Sequence, residues 1–206
     1  MGKIVPFYSI SDTMRVTMRY RRYSLNPIWI IIAINLLLLI ATYIYPRLIV
    51  LFGLIPELFL SRPWTIVTNM FMHSGLWHCA ANMFTLYFFG SYLSRLIGDS
   101  KFLIIYFGGG MLGSVLYILL GEPLSIAVGA SGAVFALGGT LAMMRPKLRV
   151  IVFPIPVPLP LWVAVIGGFV ILSFLPYVAW QAHLGGLIIG SIAGYTFKRK
   201  ERYYSF

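Results

Sequence analysis

Long apolar segments separated by short polar or basic turns occupy most of this chain. The pattern predicts six spanning helices, at about 27–45, 76–97, 102–120, 125–144, 161–175 and 180–197. Each segment is close to the roughly 20 mostly apolar residues that one membrane crossing needs. Before the fifth segment, proline recurs at every second position up to Pro160, which excludes a helix there and predicts a short extended link.

The connection between the first two segments, at about 46–75, is itself rich in apolar residues and contains three prolines and Gly53. A loop of this composition is unlike one that extends into water, and irregular backbone at membrane depth must lie against protein. The fold class that follows is an all-α membrane protein, with six transmembrane helices and a membrane-embedded first loop.

The polar ends delimit one domain. Residues 1–26 are basic and predict a cytoplasmic tail, with an amphipathic helix on the membrane surface as the alternative. Residues 27–197 form the six-helix domain, and residues 198–206 form a second basic tail.

Composition supports the membrane class and explains the charge. Apolar residues make up 60% of the chain and charged residues 10%, against about 25% charged in soluble domains. With six spans, all Lys and Arg except Arg47 and Arg62 fall on the side of the termini. This is the distribution of the positive-inside rule, so both termini are expected in the cytoplasm. The net charge of +11 is then topological and predicts no nucleic-acid partner.

Polar side chains inside the second, fourth and sixth segments are predicted at one depth. They are His78, Asn82, Ser131, Gln181 and His183, each in the first turns of a helix that enters from the outer side. Polar groups within a membrane are costly and tend to mark a functional site.

Ser131 and His183 are the candidate nucleophile and base. Glycines at 186, 190 and 194 form a stripe that predicts close packing on small residues of the fourth helix, beginning at Gly132. If these surfaces meet, His183 comes within hydrogen-bond reach of Ser131 and can take its proton. The alternatives are a histidine that only holds helices together and a Gly129–Gly132 motif that only packs.

His78 and Asn82 are four residues apart and share one helix face. Both can donate hydrogen bonds to an oxyanion, as can the backbone N–H of Ser131 at a helix N-terminus. A polar contact between helices is the alternative for this pair.

Metal chemistry is the other use of histidine, and zinc would accept His73, His78 and His183. However, the chain lacks a His-Glu-x-x-His motif, and all five acidic residues fall in tails or loops. This leaves a Ser-His dyad, with no metal and no cofactor expected.

Three motifs together resemble the rhomboid family of intramembrane serine proteases: His78-Cys-Ala-Ala-Asn82, Gly129-Ala-Ser-Gly132 and Ala182-His183-x-x-Gly186. The resemblance implies Ser131 as nucleophile, His183 as base, and an oxyanion site of His78, Asn82 and the Ser131 N–H. It also implies substrates that are transmembrane helices of other proteins, cut near the outer face after lateral entry past the fifth helix.

Two positions depart from the family pattern. The first loop has Trp64-Thr65, with Arg62 before the tryptophan, where the family often has Trp-Arg. Phe135 stands where a tyrosine is common, and it can stack on His183 but offers no hydroxyl. Gly129, Gly132, Phe135 and Gly186 are the expected supporting residues.

The sequence therefore predicts a plasma-membrane serine endopeptidase whose partners are transmembrane helices and membrane lipid. The alternatives are a non-catalytic protein that binds such helices and a transporter that uses the same polar pocket. A transporter would more typically show paired repeats and broken helices, which the sequence lacks.

Overall fold

The computed structural model describes residues 26–152 and 155–203, so the predicted N-terminal tail lies outside the described residues except for Asn26. The helices are α1 (Pro27–Ile44), α2 (Arg47–Phe52), α3 (Thr65–Thr68), α4 (Leu76–Thr85), α5 (Ser91–Ile97), α6 (Asp99–Leu120), α7 (Ser131–Met144), α8 (Leu161–Ser173) and α9 (Trp180–Tyr203). Strands β1 (Arg149–Val152) and β2 (Ile155–Pro160) complete the fold. Short 3₁₀ segments lie at Pro56–Ser61 and Asn69–Phe71.

The start of α1 follows directly from the residues at its N-terminus. The side chain of Asn26 accepts a hydrogen bond of 2.9 Å from the Ile28 N–H, and Pro27 occupies the first helical position. Both residue types are favoured there, because the cap satisfies a free N–H and proline has none to satisfy.

The first loop folds back on itself through its side chains. Three of them donate to successive carbonyls at the end of α2: Arg62 to Val50 (2.8 Å), Trp64 to Leu51 (3.1 Å) and Thr68 to Phe52 (2.7 Å). The last carbonyls of a helix have no partner within it, and a loop in apolar surroundings must supply one. Arg62 and Trp64 therefore still anchor the loop, although this segment departs from the family pattern.

The second predicted segment is continuous, as expected, although it is not a uniform α-helix. A π-helical turn at Leu86–Gly90 joins α4 to α5, so helix runs from residue 76 to residue 97. Gly98 has φ of 87° and turns the chain directly into α6, three residues earlier than predicted. Glycine adopts this left-handed conformation without the clash a side chain would cause.

The predicted start of the fourth helix, near residue 125, is wrong. Helix α7 begins at Ser131, and the preceding residues are irregular. Ala127 pairs with Leu54 of the first loop in an isolated bridge, and the Gly129 N–H donates to the Asn69 carbonyl at 2.9 Å. These bonds to the loop replace the helical bonds that the apolar sequence alone suggested.

The description all-α is wrong for one segment, because the predicted extended link is half of an antiparallel β1–β2 hairpin. The Leu161 N–H donates to Leu148 O at 2.7 Å, so the N–H of Leu161 points toward the segment that leads into β1. Successive N–H groups along a strand point alternately toward and away from the partner strand. Pro160, which pairs with Arg149 next to this bond, therefore falls where an N–H would point away from β1. Proline, which has no N–H, is tolerated at that outward edge. The sixth helix also differs, since α9 continues to Tyr203 instead of ending near 197.

Helix α7 lies at the centre of the fold, and most of its residues are buried. It packs on α6, α8 and α9. Among the described helices, Pro27–Ile44 and Asp99–Leu120 are the two that are long and apolar enough to cross a membrane alone, while α7 and α8 are apolar but shorter. The fold is thus mostly helical, and these lengths by themselves do not establish six spans.

Candidate active site

The interface between α7 and α9 is formed by backbone rather than by side chains. A Cβ added at Gly186 would overlap the carbonyl oxygen of Gly132, and one added at Gly190 would overlap the carbonyl oxygen of Ala136. Gly194 continues the same contact further along α9. The predicted packing of the glycine stripe on the fourth helix is confirmed. No side chain fits at these positions, so the two helix axes approach closely.

This close packing brings together the ends of the two helices that carry the candidate dyad. Ser131 begins α7, and His183 lies in the first turn of α9. The distance from His183 Nε2 to Ser131 Oγ is 2.8 Å, a hydrogen bond between residues 52 positions apart. The predicted proximity of the two side chains is therefore present in the structure.

The His183 ring is held mainly by packing. It is 4% exposed, and no described residue bonds to its Nδ1. One face of the ring lies against Phe135, with centroids 4.5 Å apart and planes inclined by 33°. The predicted stacking of Phe135 on His183 is present, and it holds the ring where a triad would use a carboxylate.

His78 lies next to the loop that precedes α7, near Ser131. A Cβ added at Gly129 would be 2.8 Å from His78 Nε2, so this ring edge faces the Gly129 backbone. Gly129 also has φ of 124°, which side chains rarely adopt. Both facts require glycine here, and together they bring the candidate oxyanion donor close to the serine.

Ser74 is a site residue that the sequence reasoning missed. Its Oγ lies 3.0 Å from His78 Nδ1. When the Ser74 hydroxyl donates to Nδ1, the ring proton is on Nε2, the nitrogen that faces Gly129. The spacing of four residues between Ser74 and His78 could have suggested this contact. Ser74, however, lies before the first residue of α4, Leu76, so the two residues do not share a helix.

Asn82 is buried on α4, one turn after His78, and its Nδ2 donates to the His78 carbonyl at 2.8 Å. The amide nitrogen has a second N–H, which this bond leaves available. Gln181, predicted at the same depth, is instead bonded to the Leu120 carbonyl at the end of α6. Of the polar residues predicted at this depth, His183 therefore contacts Ser131, whereas Gln181 satisfies a carbonyl at the end of a helix.

His73 is buried and lies edge-on to His78, with ring centroids 5.0 Å apart. Within the described residues, neither of its ring nitrogens has a hydrogen-bond partner. The same part of the chain contains no group of three or more His, Cys, Asp or Glu side chains arranged to hold a metal ion.

Comparison with known families agrees with the motifs. The model of the rhomboid domain matches residues 60–200, well over half of the chain. The chain belongs to the rhomboid family. Rhomboid proteins are membrane proteins that act on membrane-protein substrates, and the family generally consists of intramembrane serine proteases.

Individual relatives are similar to this chain over part of their length. Rhomboid protein 1, mitochondrial, of Saccharomyces cerevisiae is 30% identical over 150 residues, which is 64% of this chain and 41% of that protein. The putative rhomboid protease YdcA of Bacillus subtilis is 36% identical over 83 residues, covering 39% of this chain and 41% of its own length. The chain thus spans about two fifths of each of these rhomboid relatives.

Rhomboid membership alone does not establish catalysis. The inactive RHOMBOID-like protein 8 of Arabidopsis thaliana is 30% identical over 127 residues, 61% of this chain and 35% of that protein. The family therefore includes inactive members as well as proteases.

Proposed function

We propose that this rhomboid protein is an intramembrane serine endopeptidase that cleaves transmembrane segments of other membrane proteins. The observation that carries the proposal is the 2.8 Å hydrogen bond between Ser131 Oγ and His183 Nε2. A nucleophile and a base within this distance are the minimum that acyl transfer requires.

The first half of the reaction forms an acyl-enzyme. Ser131 Oγ attacks the carbonyl carbon of the scissile peptide bond while His183 Nε2 takes the hydroxyl proton. The resulting imidazolium returns this proton to the leaving amine as the C–N bond breaks. In the second half, His183 takes a proton from water, the hydroxide attacks the ester, and the Ser131 oxygen regains its proton.

The negative charge on the carbonyl oxygen needs donors already in position. The backbone N–H of Ser131, the Nε2–H of His78 and the second N–H of Asn82 are the proposed donors. Support comes from the His78 ring edge facing Gly129 and from the Ser74 hydroxyl that orients this ring. In comparable sites one such donor contributes about 100- to 1,000-fold in kcat.

Slow turnover is expected, because no described carboxylate orients His183. Its Nδ1 has no hydrogen-bond partner among the described residues, so packing of the buried ring, including the stack on Phe135, is what opposes its rotation. Substrate helices must also unwind locally, since a helical carbonyl is hydrogen-bonded and inaccessible to attack. Helix-breaking and small residues near the cut are therefore expected in substrates.

We also propose six spans: α1, the continuous helix at 76–97, α6, α7, α8 and α9, with the first loop embedded beside them. The arrangement of Lys and Arg supports cytoplasmic termini. A cytoplasmic reporter fused after Phe206 should be active, and one fused in the turn after α6 should be inactive. The plasma membrane stays a prediction, and cell fractionation tests it, because mitochondrial proteins occur among the relatives.

Cleavage of a transmembrane reporter by the purified protein in detergent tests the activity. The parent should cut the reporter, while Ser131→Ala and His183→Ala should not. If both variants cut like the parent, the dyad assignment is wrong. If the folded parent cuts no helix yet still binds the reporter, the protein belongs with the non-catalytic members of the family.

A further inference from the structure

Helix α8 reaches the candidate base through two aromatic rings. Phe135 of α7 stacks on His183 with one side of its ring. It also meets Phe169 of α8 in an edge-to-face contact, with centroids 6.3 Å apart and planes at 82°. A continuous contact therefore runs from α8 through Phe135 to His183 and Ser131.

Phe169 lies at the outer end of the packed face of α8. Leu161 and Val165 are buried on this face, and Phe169 is partly buried four residues further on. Beyond it, Phe174 is 85% exposed and Tyr177 is fully exposed. Among the described residues of α8, Phe169 is the last that packs against the main core.

His183 depends on this contact more than a triad histidine would. Its Nδ1 has no hydrogen-bond partner in the described part of the chain, so hydrogen bonding fixes only Nε2. Rotation of the ring about its Cβ–Cγ bond would break this hydrogen bond, and the contact with Phe135 opposes that rotation. Phe135 is itself confined on its α8 side by Phe169.

We propose that Phe169 is a positioning residue that holds the His183 ring through Phe135. The packing of α8 on α7 then controls the rate at which His183 takes the proton of Ser131. The proposal rests on the proposed protease function. Phe169 touches none of the reacting groups and acts only through Phe135. The chemical step should therefore be fast when α8 is packed on α7 and slow when the outer half of α8 is displaced from α7.

The rate at which a fluorophosphonate probe labels Ser131 measures this step without a substrate helix. Phe169→Ala should lower the labelling rate about three- to tenfold, the range expected for loss of an aromatic pair. Phe169→Tyr should restore it, because the ring edge is kept. With a helical substrate, Phe169→Ala should lower kcat and leave KM unchanged or reduced.

Val165→Ala is the matched control for general loosening of α8. Val165 lies on the same face, one turn before Phe169, and its Cγ2 would be 3.2 Å from a Cβ added at Gly138 of α7. Its labelling rate should stay within about twofold of the parent rate, since Phe135 keeps its contact with Phe169. Thermal unfolding of each variant checks that the labelling rates are measured on folded proteins. If Phe169→Ala does not fold, Phe169→Leu takes its place, because leucine preserves most of the packing volume.

A double-mutant cycle decides whether the effect passes through Phe135. In a Phe135→Leu background, Phe169→Ala should cause no further loss of labelling. Equal labelling of Phe169→Ala and parent, an equal loss in Val165→Ala, or additive losses in the double variant would each overturn the proposal. A folded parent that is not labelled at Ser131 would instead overturn the protease function itself, and the positioning role with it.

Discussion

Helices α8 and α9 both pack on α7, but they do so in opposite ways. Against α9, backbone meets backbone, because Gly186 and Gly190 leave no room for a side chain. Against α8, the contact is made by side chains, and Gly138 of α7 receives Val165. A backbone contact fixes the separation of two helices, whereas side chains can change rotamer and allow some displacement.

This difference in packing matches the role of each helix in the proposed site. Helix α9 carries His183, whose distance from Ser131 must be kept to a fraction of an ångström for proton transfer. Helix α8 carries none of the proposed reacting groups, and Gly167 and Gly168 in its middle have no neighbour within 4 Å of an added Cβ. A rigid pair of helices thus holds the dyad, and a loosely packed one lies beside it.

Among changes outside the dyad itself, the largest effect is expected from Gly186→Ala, which adds one methyl group to the rigid interface. That methyl would overlap the Gly132 carbonyl oxygen and force α9 away from α7. Overpacking of this kind costs about 1–3 kcal/mol of stability. A shift of about 1 Å between reacting groups can lower the rate about 100-fold. Thermal unfolding and the fluorophosphonate labelling rate measure the two effects, and an unchanged labelling rate would show that the interface does not set the geometry of the dyad.

An intermediate effect is expected from Ser74→Ala, which removes the hydroxyl that lies 3.0 Å from His78 Nδ1. One net hydrogen bond is worth about 0.5–1.5 kcal/mol, so kcat/KM for a transmembrane reporter should fall about three- to tenfold. Ser74→Thr keeps a hydroxyl at the same position and should recover most of the activity. The role assigned to Ser74 is wrong if Thr impairs cleavage as much as Ala does.

The smallest effect is expected from Gly168→Ala, the matched change in the loose helix. The added methyl enters open space, and alanine favours a helix over glycine by about 0.5–1 kcal/mol. We expect a slightly higher unfolding temperature and a labelling rate within about twofold of the parent rate. A loss of labelling as large as that of Gly186→Ala would remove the distinction between the two helices.

The dyad geometry was accessible from sequence because it follows from topology. The depth of Ser131 and His183 and the glycine spacing on α9 were enough to predict that the two side chains meet. Their catalytic roles stay a proposal, since proximity alone does not show reaction.

The start of α7 and the hairpin were not predictable in the same way. Residues 124–130 are mostly apolar, like the helix that follows, but bonds to the first loop, such as Gly129 N–H to Asn69 O, and bonds of Ser125 to Glu122 and Tyr117 hold them in an irregular conformation. The alternating prolines predicted extended chain, but pairing with β1 depends on a partner strand that hydropathy does not reveal. Phe169 escaped notice because its role comes from a tertiary contact, whereas Ser74 lies before the start of α4 and its spacing from His78 did not suggest a shared helix face.

We propose that packing of α9 on α7 makes Ser131 a nucleophile and His183 its base. Mapping the attachment site of a fluorophosphonate by mass spectrometry, in the parent and in folded His183→Ala, tests this most directly. We expect modification of Ser131 in the parent and a labelling rate about 100- to 10,000-fold lower in His183→Ala. Modification at another residue, or equal labelling of Ser131 in both proteins, would contradict it.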